Sequence, residues 1–98
     1  MDICKMLTIS TAHIKQETAA ILDKSYSGPI PGWLYAIGLY DKDEYGWFIM
    51  DWDYRSVNTF PADLLECIKV AEKHGCTWLC LDCDGEVLSS IPTYDWNE

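Results

Sequence analysis

Three of the chain's five cysteines fall within eight residues, Cys76-Thr-Trp-Leu-Cys80-Leu-Asp-Cys83. Thiolates spaced Cys-x3-Cys-x2-Cys could hold a four-iron cluster of the kind that generates radicals, or a zinc ion with a fourth ligand. Radical chemistry needs a long α/β barrel to enclose it, which 98 residues cannot build. The same stretch also reads as a strand, in which Cys80 shares a face with Trp78 and Asp82, and Cys83 with Leu79 and Leu81. Three thiolates cannot converge there without breaking the strand. A structural zinc site would want a second Cys or His pair at close spacing, and Cys4, Cys67, His13 and His74 do not supply one. The expected role of these cysteines is packing, as small apolar residues, and no cofactor is expected. A metal-binding or thiol redox module using Cys76, Cys80 and Cys83 stands as the alternative.

Two further groups invite a chemical reading. Asp82-Cys-Asp84-Gly85-Glu86 resembles the opening of a calcium loop, but the twelfth position from Asp82 is Thr93 rather than Glu. An Asp-Gly turn after a strand explains it better. Ser10, Thr11 and His13 could supply a nucleophile and a base, yet nothing fixes a third member or an oxyanion hole, and helix entry accounts for Ser and Thr equally well. No catalytic residue is assigned. Gly28-Pro-Ile-Pro-Gly32 has prolines where a phosphate loop needs backbone donors.

The strongest pattern interleaves carboxylates with aromatics: Tyr40-Asp-Lys-Asp-Glu-Tyr-Gly-Trp47, Asp51-Trp-Asp-Tyr54 and the tail Tyr94-Asp-Trp96. Tyr and Trp supply contact energy at protein interfaces, and acids steer a basic partner. The candidate contact residues are Asp41, Asp43, Glu44 and Tyr45 with Asp51, Trp52, Asp53 and Tyr54. The competing reading makes the aromatics core and the acids the solvated ends of a hairpin.

These residues need elements to hold them. Leu7-Thr-Ile-Ser10 alternates as a half-buried strand, preceded by Met1 to Lys5 as a frayed lead. Ile14, Thr18, Ile21 and Leu22 trace a short amphipathic helix ending near Lys24. Trp33 to Tyr40 and Gly46 to Trp52 read as a hairpin around Asp41 to Tyr45, with Trp33, Tyr35, Ile37 and Leu39 on one face and Phe48, Met50 and Trp52 on one face of the partner. A second helix starts at Pro61, buries Leu64, Ile68 and Ala71, and stops at Gly75. Thr77 to Asp82 is the last core strand. The order β-α-β-β-α-β predicts one α+β domain over residues 1–98, a ferredoxin-like, four-stranded antiparallel sheet with both helices on one face.

Composition narrows the function. Sixteen acidic residues against seven Lys and Arg give a formal charge of −9, which repels phosphates and argues against direct nucleic-acid binding. An acidic surface suits a basic one, such as the nucleic-acid channel of another protein. Nothing approaches the ~20 apolar residues of a membrane span, and no export signal opens the chain, so a cytoplasmic location with free thiols and no membrane contact is expected.

Leu7-Thr-Ile-Ser-Thr-Ala-His13, Glu44-Tyr-Gly-Trp-Phe48, Gly75-Cys-Thr-Trp-Leu-Cys-Leu-Asp82 and Pro92-Thr-Tyr-Asp-Trp96 together resemble a family of small bacterial proteins of unknown function that recur on plasmids, prophages and other mobile elements. The resemblance implies a mobile-element setting and carries over no catalytic residue. Setting and charge together predict a non-enzymatic interaction protein, monomer or homodimer. Its partner would be a protein with a basic surface in a host defence complex, which it would block as an anti-CRISPR or anti-restriction nucleic-acid mimic.

Overall fold

The computed structural model describes residues 3–24 and 27–96, with Tyr54 described by its backbone alone. Four strands form one sheet: β1 (Met6–Ser10), β2 (Gly38–Lys42), β3 (Gly46–Met50) and β4 (Trp78–Asp82). The helices are α1 (Gln16–Leu22) and α2 (Ala62–Lys73), joined by short 3-10 turns at Thr11–His13, Gly32–Ala36 and Tyr54–Thr59. The α+β class and the order of elements along the chain are as expected.

The sheet is mixed rather than fully antiparallel, which corrects the ferredoxin-like expectation. Its order is β1-β4-β3-β2, with β1 parallel to β4 and the other two pairings antiparallel. The physical reason lies in β4: Leu79, Cys80 and Leu81 are all buried, so this strand is apolar on both faces and takes the interior of the sheet. β1 exposes Met6 and Thr8 and takes the edge. Before β1, the Lys5 carbonyl accepts from the Thr77 and Trp78 amides, which carries the association one residue further; Met1 and Asp2 of the expected lead lie outside the described residues.

Ile9, Trp47, Ile49, Leu79 and Leu81 share one core with Ala19 and Leu22 of α1 and with Leu64, Cys67, Ile68 and Ala71 of α2. Each helix thus buries its apolar stripe against the same face of the sheet. Asp63, in the first turn of α2, is buried and accepts from the Lys15 amide at 2.7 Å, supplying the cap that α1 lacks from its own N-terminal residue. Gly75, at φ +73°, ends α2.

The other face carries Thr8, Tyr40, Lys42, Phe48, Trp78, Cys80 and Asp82, by the register of the strands. Trp78 stacks on Tyr40 with ring centroids 6.2 Å apart and meets Phe48 edge-on at 6.5 Å.

The hairpin differs from expectation in its first strand. Residues 33–36 coil into a 3-10 turn, because Trp33 is drawn into the core against the edge of Phe60, and pairing begins only at Gly38. Trp52 lies beyond β3 and does not continue the Phe48 and Met50 face. The turn itself forms as predicted, with the Tyr45 amide donating to the Lys42 carbonyl and Asp43 at φ +47°, a conformation Asp tolerates.

The segment Ser10 to Lys15 is the junction of the molecule. His13 is 1% exposed; its Nε2 accepts from the Leu88 amide at 2.9 Å and its Nδ1 faces the Pro92 carbonyl at 2.8 Å. An accepting Nε2 leaves Nδ1 as the protonated nitrogen, donating to Pro92. The Tyr94 amide donates to the Ala12 carbonyl, and Trp96 Nε1 donates to the Ile14 carbonyl at 2.9 Å. The tail as far as Trp96 is therefore tied to the turn after β1.

Gly46 fixes where the hairpin meets β4. Its φ is +153°, and a Cβ there would lie 1.7 Å from the Leu81 carbonyl oxygen, which belongs to the rigid backbone of the central strand. Gly46→Ala is expected to cost more than about 4 kcal/mol and to leave little native protein, as read by equilibrium urea unfolding. A midpoint within error of the parent would refute this close approach.

Candidate functional site

The hairpin turn, the turn after β4 and the C-terminal tail meet at one end of the sheet. The Cys83 amide donates to the Tyr45 carbonyl at 2.8 Å, which clamps the two turns together. Between them and the tail lies an open cleft of about 430 Å³, walled by Asp43, Glu44 and Tyr45 of the turn, Trp47 of β3, Asp23 after α1 and Trp96 of the tail. A second hollow of about 230 Å³ shares Asp23, Trp47 and Trp96 and runs on along Gln16 and Ala19 of α1. The two hollows adjoin at these shared residues.

Among the described residues, no Lys or Arg lines the cleft. Among the described residues the ion pairs are Lys42 with Asp82 and Arg55 with Asp53, so the exposed carboxylates of Asp23, Asp43 and Glu44 have no cationic neighbour at contact distance. Carboxylates gathered beside an apolar wall focus a negative potential. The arrangement can attract and hold a cation.

The structure divides the predicted contact residues between two ends of the hairpin. Asp43, Glu44 and Tyr45 lie in the turn, and Asp41 is exposed on β2 opposite Trp47. Asp51 begins the segment after β3, about 16 Å away along a strand of this length. Trp52 is 8% exposed and its Nε1 donates to Glu72 Oε2 at 3.2 Å, so its indole belongs to the core. Asp53 caps the following 3-10 turn, and the Arg55 amide and then its guanidinium hold the Asp53 carboxyl below the usual carboxylate range. The Tyr54 side chain lies outside the described residues. Asp51 and Asp53 do not join the cleft. Asp23, Trp47 and the tail residue Trp96 do; Asp23 carries no signal in the sequence because it reaches the cleft only through the folded position of α1.

The three clustered cysteines separate. Cys76 is buried with its thiol toward the His74 carbonyl, Cys80 sits beneath Lys42 on the outer sheet face, and Cys83 is exposed in the turn after β4. Among the described residues the group of three ligand atoms within 4.8 Å of one another is Asp82, Cys83 and Asp84, which shares only Cys83 with that set. Asp82 in that group already accepts from Lys42 and from the Asp84 amide. Burial pushes the Cys80 thiol up, and pushes that of Cys67 up to about 12, so both remain protonated at neutral pH. Ser10 spends its hydroxyl as an acceptor for the Ala12 amide, and both nitrogens of His13 are engaged by backbone.

Residues 6–96 match the C-terminal domain of DUF5983, a family of unknown function, and the chain belongs to that family. No curated protein and no solved structure matches the chain. Among the described residues, no helix is long and apolar enough to cross a membrane.

The Lys42–Asp82 pair, at 2.5 Å, anchors the edge strand β2 to the central β4 across β3. Lys42 and then the Asp84 amide lower the Asp82 pKa, while Asp82 raises that of Lys42. A lowered carboxyl contributes stability above its ordinary value near 4 and loses it as pH falls through the lowered one; a raised amine contributes below its ordinary value and loses it as pH rises through the raised one. The pair is thus intact between about pH 4 and 10. Asp82→Asn is expected to shrink the loss of unfolding free energy between neutral pH and pH 3, measured by urea titration; an unchanged acid limb would contradict it.

Proposed function

We propose that the chain is a non-enzymatic acidic interaction module that recognises a basic surface on a protein partner, using the end of the sheet where the hairpin turn and tail meet. The observation that carries this reading is the cleft itself: Asp23, Asp43 and Glu44 stand exposed beside Trp47 and Trp96, with no Lys or Arg among the described lining residues. The formal charge of −9 supports it, because a field of one sign speeds encounter with a partner of the other and keeps nucleic acid away.

The resemblance to proteins of mobile elements extends the reading. In the cytoplasm of a bacterial host, the partner is a nucleic-acid-binding channel of a defence complex, CRISPR or restriction machinery, whose basic residues meet carboxylates in place of phosphates. The module works as a monomer or homodimer and requires no cofactor.

Replacing Asp41, Asp43 and Glu44 by Lys changes the charge by two units at each of three positions, from −9 to −3. Binding to a partner recovered from host cells is expected to weaken by about tenfold or more at 0.1 M salt, where the screening length is about 10 Å, and to lose its steep salt dependence. Circular dichroism would check that the fold survives. Undiminished binding with the same salt dependence would end this reading.

A further inference from the structure

We propose that the outer face of the sheet is where two copies of the chain associate, face to face about a two-fold axis. Among the described residues, none of the side chains of this face lines the acidic cleft, so the proposal stands or falls apart from the reading above.

The helices cover one face of the sheet and leave the other bare. Across the bare face the strand register sets three rows: Lys42 and Asp82 on either side of Gly46, then Tyr40, Phe48 and Cys80, then Gly38, Met50 and Trp78. Tyr40 is 57% exposed, and Phe48, Met50 and Trp78 are half-buried. Among the described residues, neither the core cluster nor the side chains packed against it include any of these four. They form a layer of their own. Trp78 stacks on Tyr40 and meets Phe48 edge-on, and the Met50 thioether lies over Gly38, where an added Cβ would come within 2.7 Å of its sulfur. An apolar patch on a sheet face that no second layer covers marks a surface of association.

Charge names the occupant. Each copy carries −9, so two copies meeting through most of their surface repel. The three rows hold one cation and one anion, Lys42 and Asp82, and their charges cancel. A strongly basic or acidic partner gains nothing from such a face. A second copy does, because the pair makes the face its own complement. A two-fold axis along β3 lays β2 of one copy over β4 of the other, so that Lys42 stands opposite Asp82 of the second copy and Asp82 opposite its Lys42. In the next row Tyr40 meets Cys80 of the second copy, and Phe48 meets Phe48. In the last, Trp78 stands over Gly38, whose cover is the adaptable Met50 side chain. Sheets pack in this way about 10 Å apart, with strand directions within about 30°. The three shared strands span about 15 Å by 17 Å, from spacings of about 4.8 Å between strands and 3.3 Å per residue. That is smaller than the roughly 800 Å² per partner of a standard interface, so the dimer is weak, with a dissociation constant on the order of 100 μM.

Sedimentation equilibrium of the whole chain, from about 10 μM to 1 mM, is expected to show a reversible monomer–dimer equilibrium in that range. Tyr40→Glu adds a carboxylate to the face of each copy and should weaken association by about tenfold or more. Lys69→Gln makes the same change of net charge on the exposed side of α2, behind the sheet, and should leave association unchanged. Amide spectra check both variants for the native fold. The unaltered chain gives a second measurement: in a mixture of isotope-labelled and unlabelled copies, filtered contacts are expected between Tyr40 and Cys80 and from Phe48 to Phe48. A chain that stays monomeric at 1 mM would overturn the proposal, as would association that ignores Tyr40→Glu or weakens equally with Lys69→Gln. Filtered contacts at the helices, or along the free edge of β2 as edge pairing would give, would overturn it too.

Discussion

The buried imidazole of His13 holds the molecule in the form described. One ring nitrogen takes the Leu88 amide and the other gives its proton to the Pro92 carbonyl, so a single side chain in the turn after β1 bonds to backbone 75 and 79 residues away. The tail it secures forms no helix or strand of its own and has few other means of staying ordered. The Tyr94 and Trp96 bonds to Ala12 and Ile14 follow from that anchorage. Without it the cleft would lack a wall, and the acidic turn would be a solvated loop facing nothing.

Against this anchorage stands a rigid sheet. β4 is enclosed by neighbours on both edges and buried at three successive residues, which places the turns that follow β1 and β4 at one end of the molecule, beside the hairpin turn. Close backbone approach at Gly46 and the Cys83 to Tyr45 hydrogen bond then leave the hairpin turn no freedom to swing away. Charge completes the site. Lys42 and Arg55 each neutralise one carboxylate elsewhere, and the cleft retains its full negative charge.

Much of this was legible in the sequence where the signal is local. The 3.6-residue spacing of Leu64, Ile68 and Ala71 with Gly75 beyond marks α2, and the apolar run across 78–81 marks β4 as a core strand. The turn reading of Ser10 and of Asp84-Gly85 also holds, since both Ser10 and Asp82 accept a nearby backbone amide. What stayed hidden depends on tertiary neighbours. Strand order followed from how deeply β4 is buried relative to β1, which pattern alone does not rank. The course of residues 33–36 was decided by Trp33 reaching Phe60 across the core. Aromatic character did not separate contact surface from core: Trp52 and Trp96 sit in similar acidic contexts, yet one is tied to Glu72 and buried and the other lines the cleft.

The state of the His13 ring is the most direct measure of the account. Nitrogen-15 spectra of the imidazole, recorded on the native protein at neutral pH through two-bond couplings, distinguish a protonated from an unprotonated ring nitrogen. The neutral ring with its proton on Nδ1 and a bare, accepting Nε2 is the predicted result. A ring protonated on Nε2 could not accept from Leu88, and finding it would contradict the anchorage on which the tail, the cleft and its proposed partner all depend.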